Sequence, residues 1–152
     1  MAGGILEAER DGKAVGGSSY PPHKKKGETG MAQMSGKEMA GLAVRALDSK
    51  KGKAIKALET GELTTLAEYF VLCTGTSNTQ IKALADAVEK TLSDAGEEPH
   101  HIEGHRDGTW VLLDYSAVVV HIFTEEAREF YDLERLWKDA GELDISALLA
   151  QE

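Results

Sequence analysis

An internal disulfide is excluded at once, because the 152-residue chain has a single cysteine, Cys73. A lone thiol fits a reducing compartment, and inside "YFVLCTG" it reads as a small core hydrophobe. No apolar stretch approaches the roughly 18 residues of a membrane span. The first residues lack the apolar segment of a signal peptide. No glycine-rich phosphate loop of the P-loop type occurs. Positive charge is scarce and unevenly placed: residues 1–33 hold five Lys/Arg against four Asp/Glu, residues 34–152 twelve against twenty-two. A part that acidic repels phosphate backbones, which disfavours direct nucleic-acid recognition, and its field favours a basic partner. Aromatics make up only 6% of the chain, so the places where they gather carry information.

The length suits one domain with a real core. Residues 1–33 are rich in Gly, Ser, Pro and Lys without apolar periodicity and read as a disordered leader, its "HKKK" as a solvated basic run. The codons of Lys26-Gly27-Glu28 can spell a purine-rich ribosome-binding sequence, so a start at Met31 or Met34 is part of this reading.

The domain, 34–138, opens at "SGKE", where Ser35 and Glu38 have capping-box spacing. Met39, Leu42, Ala43, Ala46 and Leu47 recur at helical spacing to about Lys50. "KAIKALE" and the β-branched, aromatic "YFVLCT" read as strands. Residues 79–95 form the clearest helix, with Ile81, Leu84, Ala85, Val88 and Leu92 in one stripe and Gly96 ending it. "HHIEG" and "TWVLLDY" flank "HRDG", whose Asp-Gly marks a hairpin. "AVVVHIF" is a further strand, and Thr124 caps a last helix that runs to Trp137. Residues 139–152 read as a loosely attached, flexible tail. The order α-β-β-α-β-β-β-α implies an α/β (α+β mixed) domain on a single mixed β-sheet with flanking helices.

Three chemistries can be weighed. Nucleotidyl transfer needs a Gly-Ser-type turn before a helix and paired acids on the next strand to hold magnesium. "CTGTSN" resembles the turn, but Asp86 and Glu89 fall in a helix and the strand offers only Asp114. His101, Glu103 and His105 have the alternating spacing of a three-ligand zinc site, yet His105 falls in a turn and no fourth ligand is evident. A polar strand edge is the plainer reading. Cys73 and His121 lie in apolar strands that could be neighbours, but a buried thiol without nearby positive charge is inert. No catalytic residue, metal or cofactor is therefore expected.

That leaves "EEAREFYDLERLW". On one continuous helix Phe130, Leu133 and Trp137 share a face, with Tyr131, Glu134 and Arg135 to its side. Spacing alone leaves core and interface both open.

"LTTLAEYFVLCTGTS", "HIEG", "WVLLDY", "VVVHIF" and "EEAREFYDLERLW", in that order across about residues 35–138, resemble the Iojap proteins, also called ribosomal silencing factors. The resemblance implies a nucleotidyltransferase-like shape without that activity. It implies a cytoplasmic translational repressor that binds the large ribosomal subunit through ribosomal protein number fourteen and blocks small-subunit joining when nutrients are short. An assembly adaptor for the large subunit and a residual enzyme are the alternatives, and a homodimer of the free chain is left open. The family usually has Gly-Asp after "WVLLDY", where this chain has Ser116-Ala117, which puts the tight turn in doubt.

The expected partner-binding residues are Trp110, Asp114, Tyr115 and His121 on the sheet and Tyr131, Glu134 and Trp137 on the helix, with Phe130 and Leu133 fastening it down. On this reading Tyr131→Ala and Glu134→Ala spare the fold, and Phe130→Ala unfolds it. Because the domain is acidic, its association with a basic partner is expected to slow as salt rises, screening shortening the steering range to roughly 8 Å near physiological ionic strength. An association rate that is flat from low to high salt would contradict electrostatic steering.

Overall fold

At Ser35 the chain enters the first of its described helices through a reciprocal cap. The Ser35 hydroxyl accepts the Glu38 N–H at 3.1 Å, and the Glu38 carboxylate accepts the Ser35 N–H at 3.0 Å. The computed structural model describes residues 34–149; the leader 1–33 and residues 150–152 lie outside the described residues. Helix α1 (Gly36–Ser49) buries Met39, Ala43, Val44, Ala46 and Leu47. It ends in a Schellman turn, with Lys51 at φ 66° and the Gly52 N–H reaching back to the Leu47 carbonyl. A side chain on Gly52 would run into Cys73 Sγ.

Strands β1 (Lys53–Glu59) and β2 (Tyr69–Gly75) follow, then helix α2 (Asn78–Asp94), capped by Ser77. The end of α2 is a second Schellman turn, made by Gly96 and Glu97 on Ser93 and Leu92. Next come β3 (His101–Glu103), β4 (Trp110–Asp114) and β5 (Val118–Thr124). They form one mixed six-stranded sheet with β6 (Gly141–Glu142), in the order β3-β4-β5-β2-β1-β6. Among the described strands only β2 and β5 pair in parallel, and the chain between them passes through α2, β3 and β4.

Both faces of the sheet are covered, so β2 and β5 are nearly all buried. Under α1 and α2 lie Val71, Cys73, Val111, Leu113, Tyr115, Val118, Val120 and Ile122. The opposite face carries Phe70, Leu72, Trp110, Leu112, Val119 and Phe123, with Ala127, Leu133 and Trp137 from the segment after β5. Each fully buried aliphatic or aromatic side chain contributes about 1.5–3 kcal/mol.

Three expectations change here. The turn without the family's glycine does form: Ser116 takes φ 71° and donates its N–H to the Asp114 carboxylate at 2.8 Å. An aspartate two residues back thus offsets part of the left-handed cost. The last helix is two helices, α3 (Glu125–Tyr131) and α4 (Leu133–Leu136), broken at Asp132 with φ 49° and ψ 54°. The stretch after 138 is attached. Strand β6 pairs with β1, Leu143 N–H bonds the Ala57 carbonyl, and Ile145, Leu148 and Leu149 of α5 (Ile145–Leu149) pack against the α1 side of the core. A two-residue strand and a five-residue helix are too short to show a period.

Two glycines with left-handed backbones should separate by surroundings. Gly96 has open space around its missing Cβ, whereas a Cβ on Gly104 would run into the Trp110 carbonyl. Gly96→Ala is expected to cost about 1 kcal/mol, and Gly104→Ala clearly more, as measured by urea unfolding; equal costs would refute the packing argument.

Candidate partner-binding site

Residues 125–137 contain five acids and two arginines, and neither Pro nor Gly. Thr124 caps α3 by accepting the Ala127 N–H, and Glu125 and Glu126 occupy the first turn, where the helix dipole favours acids. The aromatic groups rise in a file from core to surface. Trp110 packs on Phe123 at 5.4 Å between centroids, Tyr131 on Trp110 at 4.5 Å, and Phe130 edge-on to Tyr131 at 5.0 Å. Phe130 is 79% exposed and Leu136 45%. These two stand on the acidic segment as its large exposed apolar groups.

This inverts the expected roles. On an unbroken helix Phe130 would dock with Leu133 and Trp137. The break at Asp132 leaves Leu133 and Trp137 buried, Trp137 edge-on to Phe70 at 5.3 Å, and turns Phe130 outward. Of the sheet residues, Trp110 and His121 are buried on the α3–α4 face, and Tyr115 is buried on the opposite face beneath α1 and α2. Strand alternation separates Tyr115 from the others, and helices on both faces remove it from a surface. Asp114 is half-buried and holds the β4–β5 turn. Of the seven residues expected at the interface, only Asp114, Tyr131 and Glu134 keep appreciable exposure.

Glu134 already has cations of its own chain. Arg128 Nε and Nη2 donate to its two carboxylate oxygens at 3.1 and 3.2 Å, and Lys56 Nζ lies 3.0 Å away. The Arg128 hydrogen bonds, with help from Lys56, hold its carboxyl down to about 2 despite partial burial. Arg128 is 8% exposed, and its Nη1 also donates to the Ala54 carbonyl and to the Thr74 hydroxyl, both at 2.7 Å. Lys53, Ala54, Thr74, Glu125, Arg128, Glu129, Asp132 and Glu134 line a cleft of about 350 Å³ beside it. Sequence reasoning missed Arg128, since nothing local distinguishes it from the exposed Arg135.

The other chemistries come apart geometrically. The parallel register sets Leu72 beside His121 and Cys73 beside Ile122, so Cys73 and His121 point to opposite faces. Burial pushes the Cys73 thiol up to about 12. His101 bonds Glu103 at 2.7 Å on the β3 edge, while His105 pairs with Asp86 of α2 at 2.9 Å, which splits the metal trio.

His121 is fully buried, and burial pulls its imidazole down to about 3. Its Nδ1 accepts the Trp110 indole N–H at 3.1 Å, which assigns the imidazole proton to Nε2, buried without a hydrogen-bond partner.

A family model described as "Ribosomal silencing factor during starvation" matches residues 33–152. The chain belongs to the ribosomal silencing factor family. Ribosomal silencing factor RsfS of Halalkalibacterium halodurans is 36% identical over 117 residues, covering 77% of this chain and 100% of that protein. The Chromobacterium violaceum RsfS is 45% identical over 100 residues, 66% of this chain and 82% of its own. "Mitochondrial assembly of ribosomal large subunit protein 1" of Mus musculus is 32% identical over 88 residues, 56% of this chain and 39% of its own. A crystal structure from Chromobacterium violaceum superposes with TM-score 0.68 at 44% identity, covering 69% of this chain and 88% of that one. One from Bacillus halodurans gives 0.64 at 34% identity, covering 71% and 98%. The ribosomal silencing factors are named for a regulatory role, and translation regulation with ribosome association is the role of this family.

Two outcomes follow. Leu133→Ala is expected to cost about 2–5 kcal/mol of stability, and Phe130→Ala to leave melting near the wild type; a large loss in the Phe130 variant would refute its exposure. The unfolded chain binds a proton at His121 near 6.5 while the folded chain resists until about 3. The stability from the neutral ring is thus complete above about pH 6.5 and falls as pH drops, by about 1.4 kcal/mol per unit. Between pH 6.5 and 4.5 this slope precedes the contribution of Glu134, whose ordinary value is 4.5. Urea unfolding at stepped pH should show the slope in the wild type and not in His121→Gln.

Proposed function

We propose that this chain binds the large ribosomal subunit through ribosomal protein number fourteen, with the Phe130–Tyr131 ledge of α3 as the centre of contact. By occupying that surface it blocks small-subunit joining and so represses translation during nutrient limitation. It is a cytoplasmic protein on this reading, and it performs no catalysis. The observation that carries the contact assignment is Phe130, 79% exposed on an acidic helix and braced edge-on by Tyr131. A large aromatic ringed by carboxylates suits a basic protein surface: the ring supplies buried area, and Glu126 and Glu129 meet Lys or Arg. Trp110, His121 and Trp137 contribute beneath the surface, by holding Tyr131 and the segment in place. Asp114 contributes through the β4–β5 turn.

The murine relative's name supports a second reading, an adaptor in large-subunit assembly. The same surface would serve both, so the consequence of binding separates them. A silencing factor inhibits the joining of mature subunits followed by light scattering. An adaptor leaves joining unchanged, and cells lacking it accumulate immature large subunits.

Co-sedimentation with purified large subunits tests the contact. Phe130→Ala is expected to weaken binding about tenfold or more, typical of an interface anchor, with melting unchanged. Normal binding by the folded variant would place the partner surface elsewhere.

A further inference from the structure

We infer that Arg128, Asp132 and Glu134 are positioning residues: together they set the rotational register of the segment after β5, and that register decides whether Phe130 faces solvent or the core. The inference starts from the α3 surface assigned in the proposed function but concerns how that surface is made.

The segment 125–137 carries two registers. Run as one helix, it aligns Phe130, Leu133 and Trp137 on a single face, so docking would bury all three. The observed fold buries only Leu133 and Trp137. Neither Pro nor Gly interrupts residues 125–137, so the break is not imposed by the usual helix stoppers. It sits at Asp132, whose φ of 49° is left-handed and whose N–H still closes the last turn of α3 on the Arg128 carbonyl at 2.9 Å. Aspartate tolerates that conformation better than most residues, but does not demand it.

What holds the break is the pairing across it. Residues six apart on a continuous α-helix lie about 240° round and about 9 Å along the axis. Arg128 and Glu134 could not then meet through two parallel N–H···O bonds, yet they do so at 3.1 and 3.2 Å. The ion pair exists only in the broken register. Both ends are fixed to the sheet: Arg128 through Ala54 and Thr74, Glu134 through Lys56. The clamp therefore selects the register that leaves Phe130 outside.

The chain has three phenylalanines, Phe70, Phe123 and Phe130, of which the first two are fully buried. Uniform fluorophenylalanine labelling of the full chain gives three fluorine resonances, and a soluble paramagnetic agent relaxes the exposed one. In the wild type and in Asp132→Gly, where glycine favours the left-handed backbone, the Phe130 resonance should relax strongly. In Asp132→Ala and Glu134→Gln it should fall toward the level of the two buried rings. Undiminished relaxation in Glu134→Gln, or equal relaxation in the folded Asp132→Gly and Asp132→Ala, would overturn the inference. Glu134→Gln keeps it falsifiable should Asp132→Ala fail to fold. Large-subunit binding by the same proteins keeps the two readings apart. Binding about tenfold weaker wherever relaxation falls supports both. Unchanged binding with reduced relaxation supports the register and sinks the proposed contact.

Discussion

One guanidinium joins more of this fold than any other polar group described. Arg128 ties α3 to α4 through Glu134, to β1 through the Ala54 carbonyl and to β2 through Thr74, and it lies over the Phe123 ring at 5.9 Å. A cation this deeply buried would be costly if unpaired. It persists because its partners are already placed. The irregular register of β1 between Lys53 and Lys56, with Ala54 at φ 49°, gives the Ala54 carbonyl to Arg128. Removing the arginine would leave Glu134 and that carbonyl short of their donor, which is the expensive way to lose an ion pair.

The clamp and the aromatic file divide the work. Phe70, His121, Trp110 and Trp137 fill the space between sheet and segment. They fix how high the segment sits but are poor at fixing its rotation, because apolar contacts have little direction. Directed bonds from Arg128 supply the rotation. A rigid sheet, buried on both sides, thus carries a surface whose chemistry is acidic and aromatic, in keeping with a family named for regulating ribosomes.

Much of the fold was legible in the chain: the Ser35 cap, the stripe from Ile81 to Leu92, the Asp-Gly hairpin and the mixed sheet. These are local patterns with strong periods. The candidate site was less legible, for three separate reasons. In the chain the helical spacing runs on through Asp132, and only the pairing of Arg128 with Glu134, six residues apart, discloses the break. Trp110, Tyr115 and His121 alternate correctly along their strands, but alternation does not say that helices cover both faces. Cys73 and His121 occupy adjacent strands, and only the parallel register tells which neighbours share a face.

The short β6–α5 segment has a role beyond its size. Strand β1 would otherwise end the sheet with a row of unpaired N–H and C=O groups beside its Ala57 and Leu58. Glu142 and Gly141 pair with Leu58 and Glu59, and Leu143 bonds Ala57, so that row is partly occupied. The strand that occupies it is two residues long and carries an outward glutamate, a poor template for further pairing. The chain thereby closes one of its routes to self-polymerisation by edge-to-edge strand addition.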